Sequence, residues 1–164
     1  MIDRVRIPDV SRWIRSRAQL EALGSSSRQI ARHVERGRLQ QLDHGWYVDG
    51  ETWREWSIER RHLARVLAAR RRQRSSDTVF SHCSAAVLWG LPLARVDPQK
   101  VHASGAGTSG HVMSSTSALA RHQVEVAEAD RAIVDGVACT GIHRTVADML
   151  RASAAETGLS LLDA

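Results

Sequence analysis

Along the first half of the chain, apolar positions recur at helical spacing, and serines and glycines punctuate the runs. Ile30 and Val34 stand at i, i+4 with Ala31 beside them, the spacing of one inward helical face. Ser25 and Ser26 precede this run and Gly37 follows it. The pattern therefore predicts a helix from Ser26 to Arg36 with a serine cap and a glycine stop. Upstream, Ser16 can cap a shorter helix over Arg17 to Leu23, which Gly24 ends. Two short helices with a glycine in the intervening turn fit a helix-turn-helix. Leu39, Gln40, Gln41 and Leu42 then run into the turn cluster Asp43-His44-Gly45, and Trp46-Tyr47-Val48 returns as a strand rich in β-formers. This second unit reads as a hairpin, or wing.

Before the helix pair, Asp9 can cap a short helix in which Val10, Trp13 and Ile14 form an apolar stripe, with Trp13 expected in the core behind the pair. After the wing, Trp53, Trp56, Leu63, Val66 and Leu67 predict one connecting helix from Glu51 to about Arg71. Its end, Arg70-Arg71-Arg72-Gln73-Arg74, reads as a solvated helix terminus, with phosphate contact as the alternative. Ser75-Ser76-Asp77 breaks the pattern and marks the expected boundary between units.

The second half mixes periods. Thr78-Val79-Phe80 reads as a strand, and Ser81 as the cap of a helix over His82 to Trp89 that Gly90 closes. Lys100 to Ala103, Gln123 to Ala127, Ala132 to Val134 and Val137 to Thr140 read as strands, the last two joined by a turn at Asp135-Gly136. Ser104 to Gly110 reads as a loop, and His111 to Leu119 fits no single period. Thr140 can cap a helix over Ile142 to Arg151, and a last apolar helical pattern starts near Ala154. The fold class expected is α+β. A winged helix-turn-helix occupies residues 1–50, a connecting helix residues 51–74, and a small mixed α+β domain residues 75–164. The last pattern runs to Ala164 without a stop signal, as it would in a fragment of a longer chain.

Charge sharpens this division. Residues 1–74 hold 17 Arg against 9 carboxylates, a balance of +8, whereas residues 75–164 hold 5 Arg and 1 Lys against 9, a balance of −3, giving the chain its net +5. A basic unit beside an acidic one is the footprint expected of a domain that displaces counterions from a phosphate backbone. An Arg-rich composition from a GC-rich genome explains the preference for Arg over Lys but not the change of sign. With Ile30 and Val34 inward, the second helix turns Ser27, Arg28, Gln29, Arg32, His33 and Arg36 outward, and such side chains contact phosphates or base edges in a major groove. Arg28, Gln29 and Arg32 are the candidates for base edges; Ser27, His33, Arg36, Arg38 and His44 are those for phosphate or wing contacts. The competing reading is a helical hairpin with a solvated basic face.

Other chemistry finds little support. Cys83 and Cys139 form no CxxC pair, and no apolar run is long enough for a signal peptide or a membrane span. A cytoplasmic protein with reduced thiols is expected. His82, Cys83 and Cys139 match no zinc spacing, so neither a metal nor another cofactor is expected, and His82 reads as a hydrogen-bonded histidine at a helix start. Arg144 and Asp148, at i, i+4, suggest a local ion pair. No GxSxG, HExxH, P-loop or GxGxxG motif occurs, and the carboxylates are scattered, so an enzyme is the least favoured class.

Three stretches, RAQLEALGSSSRQIARHVERGRLQQLDHGWYV, FSHCSAAVLWGLPL and DGVACTGIHRTVADML, resemble in sequence and order the AbiEi-like antitoxins of type IV toxin–antitoxin systems, especially their actinobacterial branch. The resemblance implies a transcriptional autorepressor whose winged helix binds repeats in its own promoter. It further implies a second domain that represses cooperatively or neutralises a nucleotidyltransferase-like toxin. Many such relatives continue into a nuclease-like C-terminal domain, which this sequence lacks. The partners expected are double-stranded operator DNA, such a toxin, and a second copy of the chain as a homodimer. The alternative is a protein-interaction module without specific DNA binding.

Overall fold

Short elements bounded by their own caps build the N-terminal part of the computed structural model, which describes residues 5–73, 78–93, 98–105 and 119–152. Helix α1 (Ile7–Ser11) carries its proline in the first turn, where no backbone donor is missed. A two-residue strand β1 (Arg15–Ser16) leads into α2 (Arg17–Ala22) and α3 (Ser27–Glu35). Strands β2 (Leu39–Asp43) and β3 (Trp46–Asp49) follow, and the three strands form an antiparallel sheet in the order β1-β3-β2. The helix pair and wing thus lie where the sequence placed them. The stripe ahead of them does not. Because α1 ends at Ser11, Trp13 falls in a turn and is 42% exposed, with the Arg12 guanidinium over its ring, while Val10 and Ile14 alone face the core.

The predicted connecting helix is two helices, α4 (Gly50–Glu55) and α5 (Ile58–Arg72). Asp49 caps the first by accepting from the Glu51 and Thr52 amides. Trp56 is extended, and Ser57 caps the second by accepting from the Arg60 amide. The side chain of Arg61 donates to the Trp53 and Arg54 carbonyls, satisfying the acceptors that end α4. Apolar periodicity spans the break because both segments bury residues on one side, so it gave no sign of the serine cap within it.

α5 is the common wall of the fold. Its Leu63, Ala64, Val66, Leu67, Ala68 and Ala69 belong to one apolar cluster that also takes in Val10, Ile14, Leu42 and Val48 on one side and Phe80, Val87, Val101 and Cys139 on the other. The buried His62 reaches from α5 to the Ser84 hydroxyl at 3.0 Å and to the Pro98 carbonyl at 2.9 Å.

Beyond α5, strand β4 (Val79–Phe80), helix α6 (His82–Trp89), strands β5 (Val101–Ser104), β6 (Leu119–His122), β7 (Arg131–Val134) and β8 (Val137–Thr140), and helix α7 (Ile142–Ala152) complete the described structure. The sheet order is β6-β5-β4-β8-β7, with parallel β5–β6 and β4–β8 pairs and antiparallel β4–β5 and β7–β8 pairs. The class is α+β. The strand expected over Gln123 to Ala127 is irregular chain, and pairing falls on Leu119–His122 instead, because Leu119 docks in the core while Gln123, Val124 and Glu125 are exposed. Ser104, expected in a loop, closes β5. Thr140 ends β8 rather than capping α7 through a backbone donor: its hydroxyl meets that of Thr145 at 2.7 Å. The expected unit boundary at Ser75-Ser76-Asp77, most of the Gly/Ser loop, the segment 111–118, Arg74 and the helix from Ala154 lie outside the described residues.

Candidate nucleic-acid interface

Both helices of the pair start from the same device. The Ser16 hydroxyl accepts from the Gln19 amide at 3.1 Å, and the Gln19 side chain accepts from the Ser16 amide at 2.8 Å. Ser26 and Gln29 repeat this at 3.3 and 2.7 Å. Each reciprocal pair satisfies two amides that helix geometry leaves without partners. Between the helices Gly24 takes a φ of +93°, and the Ser25 amide donates to the Leu20 carbonyl. Ile30, 1% exposed, anchors α3, while no residue of α2 is fully buried.

Every candidate contact residue except His33 is exposed. Arg28, Arg32 and Arg36 recur every fourth position on α3 and its C-cap, so they share one side of it. None of the ion pairs among the described residues engages Arg28, Arg32, Arg36 or Arg38. Three candidates have local duties as well. The Gln29 carbonyl oxygen is held by its own cap, leaving its amide nitrogen to reach outward, and the Ser27 hydroxyl donates to Glu21 at 2.8 Å. His33 is half-buried, and its carbonyl accepts from the Arg38 amide.

The wing is tied to the helices at both ends. At its tip Gly45 adopts a φ of +76°, Asp43 accepts from the His44 amide, and the Gly45 carbonyl accepts from the Arg17 amide at 2.8 Å. At its base the Gly50 amide donates to the Arg38 carbonyl at 2.8 Å, and Arg54 donates to the Gly37 carbonyl at 3.1 Å. The backbones approach so closely there that a β-carbon on Gly50 would sit 2.0 Å from the Gly37 oxygen. Sequence reasoning missed Gly50, because its constraint comes from a chain segment thirteen residues away.

In the arginine run ending α5, Arg71 and Arg72 are exposed, as the reading of a solvated terminus expects, but both guanidinium groups are also engaged within the chain. Arg71 donates to the Ser11 hydroxyl and carbonyl and to the Ile14 carbonyl, and its guanidinium lies 5.3 Å from the Trp46 ring centre. Burial, and then the neighbouring Arg15 charge, lower its pKa. Arg72 pairs with Asp43 at 3.1 Å. The last turn of α5 therefore grips both the segment before β1 and the wing.

In the second half, the local pair expected of Arg144 and Asp148 is part of a larger network. Arg144 contacts Asp148 at 2.9 Å and Asp130 at 3.1 Å, and Arg151 also reaches Asp148. The hydrogen bond that Arg144 donates to Asp148 is the main cause raising the Arg144 pKa. His82, read as a structural histidine, does hydrogen-bond Ser81 at 3.1 Å, but it also meets His102 and His122 in a cluster whose ring nitrogens, one from each, lie within 4.8 Å of one another. Burial, and then His122, lower the His82 pKa; Asp148 opposes the shift and Arg144 adds to it. No spacing rule reveals this cluster, since its members come from α6, β5 and β6. Burial also pushes the Cys139 thiol up to about 11. Among the described residues no helix is long and apolar enough to cross a membrane.

Comparison with known proteins adds one finding. Residues 12–48, which run from the turn before β1 through the wing, match the family described as "Transcriptional regulator, AbiEi antitoxin". No curated protein matches the chain.

Proposed function

From the match of residues 12–48 to a family of AbiEi-type transcriptional regulators, we propose that this protein binds duplex DNA through α3 and the wing and represses its own operon. The observation that carries this reading is the row of Arg28, Arg32 and Arg36 on one side of α3, exposed and without carboxylate partners among the described residues. Guanidinium groups on a helix face can pair in bidentate fashion with guanine edges or clamp phosphates. Arg28, Arg32 and the Gln29 amide nitrogen read base edges in this proposal. Ser27, His33, Arg36, Arg38 and His44 at the wing tip hold the backbone. Repeated promoter half-sites call for two copies side by side, and the acidic second half is the part that engages a second copy or a nucleotidyltransferase-like toxin.

The test is a titration of the purified chain with its own upstream DNA and with a scrambled duplex across a range of salt. Stronger binding to the upstream DNA and a steep negative log–log salt slope are expected. Arg28→Ala and Arg32→Ala should each weaken specific binding by about 1–3 kcal/mol, and Arg38→Ala should reduce the salt slope by about one. Wild-type affinity in both the Arg28 and Arg32 variants would refute the α3 assignment, and no binding to either duplex would leave a protein-interaction module as the reading to pursue.

A further inference from the structure

We propose that His82, His102 and His122 form a binding site for one divalent transition-metal ion of the zinc type, remote in sequence from the DNA-contact residues and independent of their function. The topology brings the three rings together. β5 and β6 run parallel with Ser104 opposite His122, and strand alternation puts His102 on the same face as Ser104 and therefore beside His122. The Ser81 amide donates to the His102 carbonyl at 3.0 Å, which fixes the corner from which α6 starts against β5. His82, the first residue of α6, follows that corner. The ring centres lie 4.0 Å apart for His82–His122, 5.2 Å for His102–His122 and 5.5 Å for His82–His102.

Two further observations favour a built site over a chance stack. His82 holds a φ of +52°, a left-handed conformation that side-chain-bearing residues rarely adopt and that persists where the surroundings impose it. Its Nδ1 lies 3.1 Å from the Ser81 hydroxyl, which in turn accepts from the Ser104 hydroxyl at 2.8 Å; both serines are buried. A ring fixed by Nδ1–H donation presents Nε2 as a ligand, the usual way a neighbouring acceptor orients a metal-binding histidine.

The donor set selects the class of ion. Three neutral imidazole nitrogens suit zinc, cobalt or nickel rather than the oxygen-seeking magnesium or calcium. Three histidines also leave a fourth tetrahedral position for water or an exogenous ligand. With metal–nitrogen bonds of ~2.0–2.1 Å, tetrahedral ligands stand about 3.4 Å apart. The present separations are compatible with that value: His102 Nδ1 and His122 Nε2 stand 2.9 Å apart, and one ring nitrogen from each histidine lies within 4.8 Å of the others. Ring rotations that exchange the His102–His122 hydrogen bond for metal bonds would close the site. All three rings are half-buried, so an ion can enter from solvent.

The experiment uses the full chain after treatment with a chelator. Zinc titrated into the wild type should bind with a stoichiometry of one and raise its melting temperature, and cobalt should give the visible absorption of a tetrahedral site. His122→Ala and His102→Ala should each lower zinc affinity by at least about 100-fold, while His143→Ala, an exposed histidine on α7, leaves it unchanged. Absence of saturable zinc binding by the folded wild type would overturn the proposal, as would undiminished binding in both the His102→Ala and the His122→Ala variant. Should those variants fail to fold, modification of wild-type histidines by diethyl pyrocarbonate decides the matter. Zinc should protect His82, His102 and His122 but not His44 or His143; uniform modification with and without zinc would refute the site.

Discussion

Replacing Gly50 by alanine adds a single methyl group, yet the structure predicts a large effect on both stability and DNA binding. The new β-carbon would stand 2.0 Å from the Gly37 carbonyl oxygen and 3.0 Å from the Arg38 carbonyl carbon. Ordinary contact needs more than 3 Å to the oxygen, so the two backbones must part by over an ångström. Two hydrogen bonds cross this gap: Gly50 to the Arg38 carbonyl at 2.8 Å, and Arg54 to the Gly37 carbonyl at 3.1 Å. Overpacking of a tight contact costs about 1–3 kcal/mol, and each weakened hydrogen bond adds about 0.5–1.5 kcal/mol. A total near 3 kcal/mol, or a fall in Tm of roughly 6–12 °C for a chain of this size, is expected for Gly50→Ala by urea and thermal unfolding. Because Gly37 and Arg38 join α3 to the wing, the shift also changes how the Arg38 side chain and the wing stand relative to α3. Specific DNA affinity, measured at a temperature where the variant is folded, should therefore fall even though no proposed contact residue has changed. A loss of stability below about 0.5 kcal/mol, within the range of ordinary surface substitutions, would refute this account of the α3–wing junction.

The lowered His82 pKa gives a pH dependence with a definite sign. The folded state holds fewer protons at this site than the unfolded state, so the stability that neutral His82 provides is present above about pH 6.5. It is lost as pH falls through that value toward the lowered pKa. Denaturant unfolding at pH 7.5 and 5.5 should show the loss, and His82→Gln should reduce its slope. The thiols offer a separate check. Cys83 and Cys139 are buried, and the Cys139 thiol is pushed up to about 11; since the thiolate is the nucleophile, both should resist a thiol-specific reagent at pH 8 until denaturant is added. Rapid stoichiometric labelling of the native chain would contradict the packing around β8.

Legibility in the sequence followed the range of the interactions that fix each feature. The helix pair and wing could be read because their determinants are local: Ser16 and Ser26 at the caps, Gly24 and Gly45 at positive φ, Ile30 as the anchor. The exposure of Arg28, Arg32 and Arg36 followed from the same helical period. The break at Trp56-Ser57 was hidden because the apolar stripe continues across it, and Trp13 was misplaced because α1 stops at Ser11, three residues before its stripe ends at Ile14. Strand β6 was displaced by a few residues for a related reason, since Val124 and Val126 alternate much as a paired strand would. The grip of Arg71 and Arg72, the contact at Gly50 and the histidine cluster all join residues far apart in the chain, and no periodicity encodes such meetings.

Helix α5 also has a mechanical meaning. Along its length it is packed against α6 and β5, and at its last turn Arg72 and Arg71 hold Asp43 at the wing and Trp46 beside it. The aim of the wing is therefore borrowed from behind. A shift of α6 or β5 that rolls α5 by a few degrees would be delivered, through two guanidinium groups, to the hairpin that carries His44. In the proposed reading the arginines of α3 set how strongly the surface attracts a polyanion, and the seating of α5 sets the direction in which the neighbouring hairpin points.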